Sequence, residues 1–72
     1  MKELLVRTKN PEALDKTLKS LGGLVEQNLD GTYPFRLDNI YAVRSVSGNI
    51  GFLKFSIKNQ GYAEIVGERE II

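Results

Sequence analysis

The 72-residue chain contains no cysteine, no histidine and no tryptophan. The first absence excludes a disulfide staple, and the first two together remove the thiolate and imidazole ligands from which zinc sites are built. They also remove the commonest general base and the thiol nucleophile, which leaves carboxylates, lysines, tyrosines and serines for any catalysis. A strong excess of either charge is missing too: ten Lys and Arg stand against nine Asp and Glu, a net +1. A protein that binds nucleic acid chiefly by neutralising phosphates carries a larger basic surplus. Long apolar runs are absent near the N-terminus, where the longest is Leu4-Leu5-Val6. A spanning helix needs ~20 apolar residues and a signal peptide ~7–15. The expectation is a cytoplasmic protein with no membrane contact, no cofactor and no metal.

What is present describes one ordinary globular domain over residues 1–72, with 42% hydrophobic and 26% charged residues. Such proportions belong to a folded chain, although a core this small gives only marginal stability. Residues 3–8 read as a strand. Asn10-Pro11-Glu12 then starts a helix: Asn10 can cap it, Pro11 loses nothing at the first position, and Glu12 meets the positive dipole end. Leu14, Leu18 and Leu21 lie on one stripe of this helix, with Asp15, Lys16 and Lys19 facing away. Glu12–Lys16 and Asp15–Lys19 have the favourable i, i+4 spacing. Gly22-Gly23 supplies a left-handed stop.

Beyond the helix the period shortens. Residues 24–29 read as a strand closed by an Asp30-Gly31 turn, and 32–37 as an edge strand or irregular segment around Pro34. Residues 40–46, 52–58 and 62–71 read as a three-stranded meander, with turns at 47–51 and 59–61. Pairing Ile57 with Ala63, Phe55 with Ile65 and Leu53 with Gly67 gives one dry face. The other face then carries Lys58–Tyr62, Ser56–Glu64, Lys54–Val66 and Phe52–Glu68, with Arg44 and Val46 beside them. The predicted fold is α+β, in the order β-α-β-β-β-β. The alternative makes residues 50–60 helical and gives a ferredoxin-like β-α-β-β-α-β unit.

One helix ~10 Å wide covers roughly half of a five-stranded sheet ~24 Å across. The leading expectation is therefore a non-catalytic interaction module that self-associates through the uncovered sheet, as a dimer, and can serve as an accessory subunit of a larger protein assembly. The expected interaction face is Arg44, Val46, Phe52, Lys54, Lys58, Tyr62 and Val66. The rival function is single-stranded RNA or DNA binding by the same basic and aromatic residues.

Two weaker patterns complete the reading. Gly48-Asn49-Ile50-Gly51 resembles the Gly-x-x-Gly clamp of K-homology RNA-binding domains. In that family the loop joins two helices, whereas residues 40–46 alternate like a strand, and Lys54 stands where an aliphatic side chain is usual. Glu64, Glu68 and Glu70 share one face of the last predicted strand, but the first two lie ~13 Å apart when extended, too far to grip one ion. No enzymatic activity is expected.

Overall fold

The computed structural model of the protein describes residues 2–46 and 50–70. The expected loop residues Ser47, Gly48 and Asn49, and the end of the last predicted strand at Ile71, lie outside them. The elements run β1 (Lys2–Thr8), α1 (Pro11–Lys19), β2 (Gly23–Val25), β3 (Ile40–Ser45), α2 (Gly51–Lys58) and β4 (Ala63–Glu70). All strand pairs are antiparallel, and the sheet order is β2-β3-β1-β4.

The α+β class holds, with two helices and a four-stranded sheet. The one-helix order and the meander are corrected in favour of the alternative order β-α-β-β-α-β: residues 51–58 are helix, so the expected hairpin registers of Leu53, Phe55 and Ile57 do not form. The reason lies at the other end of the chain. β1 sits between β3 and β4 and pairs antiparallel with both, which makes β3 and β4 parallel to each other. Parallel strands cannot be joined by a tight hairpin, and their connection must cross over the sheet, most simply as a helix. Leu4, Leu5 and Val6 suit that central place because apolar side chains are welcome on both of its faces.

Asn10 caps α1 as expected, its side chain accepting from the Ala13 N–H at 3.1 Å. Glu12–Lys16 and Asp15–Lys19 each close to 3.8 Å. Asp15 is nevertheless buried rather than outward, because the loop over residues 26–39 brings the Tyr33 hydroxyl to donate to it at 2.9 Å. Burial and the neighbouring Asp15 carboxylate push the Tyr33 phenol above its ordinary pKa. That loop contains no regular strand, so the edge-strand reading of Thr32–Leu37 falls to the irregular one.

Both helices lie on one side of the sheet. Leu4 and Val6 from β1, Leu14 and Leu18 from α1, Val25, Tyr41 and Val43 from β2 and β3, and Leu53 and Ile57 from α2 form the core. Four strands at ~4.8 Å span ~19 Å, which two helices of ~10 Å cover. The coverage deficit inferred from a single helix is thereby closed on this side.

Of the Gly22-Gly23 pair, only Gly22 takes a left-handed conformation, at φ +76°. Gly23 opens β2 where the two helices converge. A Cβ there would lie 2.7 Å from Leu18 Cβ, 3.0 Å from Leu53 Cδ2 and 3.3 Å from the Leu18 carbonyl oxygen. Leu53 can swing its methyl away, but Leu18 is held close to its own backbone. Gly23→Ala is expected to cost about 1–3 kcal/mol by overpacking. Urea denaturation reads this directly, and an unchanged midpoint would mean that the helices do not close over β2.

Candidate interaction surfaces

The seven residues assigned to one sheet face divide among several surfaces. Arg44 alone of them lies clearly on the helix-free face of β3, where it stands opposite Leu24 of β2 and Glu3 of β1. Val46 follows the end of β3 and is exposed, its N–H donating to the Gly22 carbonyl at 2.8 Å. Phe52, Lys54 and Lys58 belong to α2, across the sheet from Arg44. Tyr62 packs on α1, with its hydroxyl 2.8 Å from that of Thr17. Its carbonyl accepts from the buried Thr8 hydroxyl at 3.1 Å. Val66 occupies a bulge in β4, where the register against β1 shifts between Leu5 and Val6.

That bulge also separates the glutamates expected on one face. Glu64 stands opposite Arg7 and pairs with it at 3.6 Å. Glu68 stands opposite the core residue Leu4, and its carboxylate meets the Lys54 ammonium reaching over from α2. The Lys54 contact holds the Glu68 carboxyl below its usual pKa. The expected hairpin pairs Lys54 with Val66 and Phe52 with Glu68; Lys54 and Glu68 instead meet between helix and strand.

Two arrangements emerge that periodicity did not reveal. The first is on α2, whose sequence is apolar on both sides. Leu53 and Ile57 are fully buried, while Phe52 and Phe55 are about 70% exposed, at 71% and 70%. The hairpin pairing with Ile65 puts Phe55 on the dry face. The helical turn instead sets it three residues from Phe52 on the outward surface, where i and i+3 are neighbours.

The second is on the open face of the sheet. The Glu3 side chain is only 2% exposed although no helix covers it. Arg44 from β3 and Arg69 from β4 both stand directly opposite it and close over its carboxylate. Arg44 donates from Nε to Oε2 at 3.1 Å, and Arg69 donates from Nε and is ion-paired through Nη2 to Oε1. Burial alone would raise the Glu3 pKa, but the two guanidiniums outweigh it and lower it. Glu3 is therefore ionised at neutral pH. Strand alternation could place Glu3 and Arg44 on a polar face, but Arg69 joins them only because the bulge resets the phase of β4.

The residues of the expected basic and aromatic face do not all share one surface: Arg44 is on one side of the sheet, and Phe52, Lys54, Lys58 and Tyr62 are on the other. Among the described residues no group of three or more acidic side chains is placed to hold a metal ion. No described helix is long and apolar enough to cross a membrane. Comparison with protein-family models, with curated proteins and with solved structures finds no match to this chain.

Proposed function

We propose that this protein is a non-catalytic cytoplasmic association module that pairs with a second copy of itself through the outward face of α2. The observation that carries this reading is the exposure of Phe52 and Phe55 on a helix whose opposite side already fills the core. Two aromatic side chains held side by side in solvent on a helix face are unusual for a surface that stays uncovered, and aromatic anchors are the residues in which interface energy concentrates. The expected surface thus moves from the sheet to the helix, keeping Phe52 and placing Lys54 and Lys58 at its margin.

A second copy fits because a two-fold contact brings the centre of a patch against itself. A charged centre would repel its own image, but this centre is neutral and aromatic. Lys54 is already neutralised by Glu68, and Lys58 lies at the C-terminal turn of the helix. Two phenylalanines that would each bury ~150–250 Å² offer roughly 200–350 Å² per copy at this exposure. A stable interface buries ~800 Å² per partner, so the pairing is weak and depends on concentration.

Sedimentation equilibrium from about 10 μM to about 1 mM brackets the affinity of so small an interface. The mass should rise from 8.1 kDa towards twice that value. Phe52→Ser combined with Phe55→Ser should hold it at 8.1 kDa with an unchanged circular dichroism spectrum. A wild-type mass that stays at 8.1 kDa throughout, or a double variant that associates as wild type does, overturns the proposal.

A further inference from the structure

The Glu3, Arg44 and Arg69 cluster does more than satisfy a buried carboxylate. Its two guanidiniums converge on one anion, so the group retains a positive charge. The Arg44 and Arg69 side chains are 56% and 60% exposed, which leaves their outer edges in contact with solvent. They line a depression of about 300 Å³ together with Leu24, Ala42 and Glu26. Glu26 does not cancel the surplus. Its Oε1 accepts the Ala42 N–H at 3.0 Å, and its Oε2 accepts from Arg36 at 2.9 Å. Arg36, from outside the depression, offsets Glu26, so the cluster of Glu3, Arg44 and Arg69 keeps one positive charge.

We propose that this depression binds a small carboxylate carrying a short apolar tail, its head on the outer edges of Arg44 and Arg69 and its tail against Leu24 and Ala42. Planar guanidinium forks match a carboxylate in geometry as well as charge. Here Glu3 fixes them in advance, so little side-chain freedom is lost on binding. Leu24, half exposed on the edge strand, supplies the apolar wall. A depression of this volume is at the lower end of ligand sites, which limits the guest to a few carbons beyond its carboxylate. The site lies across the sheet from α2 and is independent of self-association there.

The test is a titration of the full chain, followed by its amide NMR spectrum, with sodium isovalerate at constant ionic strength. Acetate, inorganic phosphate and isoamyl alcohol are run in parallel. Isovalerate should give saturable shifts centred on Leu24, Ala42, Arg44 and Arg69. It should bind at least about tenfold more tightly than acetate, since each buried methylene is worth about fourfold. Arg69→Lys keeps a cation over Glu3 but loses the fork, and should weaken isovalerate at least about fivefold. Leu24→Ser should abolish the preference for isovalerate over acetate. The Phe52 and Phe55 double variant should bind isovalerate as wild type does. The proposal is overturned by shifts that do not saturate or that centre on other residues. Phosphate or the alcohol binding as tightly as isovalerate, or a preference that survives Leu24→Ser, also overturns it.

Discussion

Leu53→Ala is expected to lower stability by about 2–5 kcal/mol, the range for truncating a fully buried leucine. Leu53 is 0% exposed, and its Cδ2 packs where α2 passes Gly23 at the start of β2. A chain of this length holds only about 4–11 kcal/mol in all. The variant should therefore be partly unfolded at moderate temperature, with a urea midpoint well below wild type. Phe55→Ala is the control, because a strand reading and a helix reading disagree about it. In a strand Phe55 would share the core face with Leu53, and its removal would cost about 3–5 kcal/mol. On α2 it is mostly in solvent, and its loss should cost well under half of that. Equal destabilisation by the two substitutions would mean that residues 51–58 are not the helix described above.

Glu3→Ala is expected to cost about 2–3 kcal/mol. Breaking one side of a fully buried ion pair costs about 3–5 kcal/mol. Here the arginines are more than half exposed and can be rehydrated, so the penalty falls at or below the low end of that range. Glu3→Gln tests the charge with little change of shape. Each Glu3 oxygen accepts from a different arginine, whereas an amide has one oxygen and would turn its NH₂ towards the other guanidinium. The pH dependence has a definite sign. Against the raising effect of burial, Arg44 and Arg69 hold the folded-state pKa of Glu3 below its ordinary value of 4.5. Its contribution is therefore complete above the unfolded pKa and is lost as pH falls through the lower folded value. The difference in stability between wild type and Glu3→Gln should be constant near neutrality and shrink in acid below about pH 4.5. Asp30 and Glu68 also have lowered pKa values, and they contribute equally to both proteins and cancel. A difference that grows in acid would show that Glu3 is not held as an anion between the two arginines.

Much of the fold could be read locally because its signals are local. Asn10, Pro11, Leu14, Leu18 and Gly22 announce α1 within one short stretch, and the helix starts where those residues place it; Leu21, expected on the same stripe, lies beyond its end at Lys19 and is exposed. β1, β3 and β4 follow from alternating apolar residues. The segment from Gly51 to Lys58 carries two periods at once. Leu53, Phe55 and Ile57 alternate, while Ile50, Leu53 and Ile57 also fall at helical spacing, and eight residues are too few for periodicity to decide. The strand assignment even looked more economical, because it put Phe55 inside. Asp15 shows a similar limit: the helix pattern turns it outward, whereas Tyr33, eighteen residues away, folds over and donates to it.

The candidate sites show the same division. The exposed pair on α2 includes one residue singled out from the sequence, Phe52, and one assigned to the core, Phe55. The arginine pair includes Arg44, which strand alternation put on the polar face, and Arg69, which required knowledge of the β4 bulge and of its neighbour.

The residues alone determined the α+β class, excluded disulfide and imidazole chemistry among these 72 residues, and placed a capped helix behind an apolar strand. Tertiary structure alone decided what crosses from β3 to β4 and which side chains are left in solvent. Placing β1 between them shielded both its edges and set Leu4 and Val6 beneath the helices, with Leu5 half-buried on the other face. It also forced the next connection to pass over the sheet, and no short-range pattern could express that constraint.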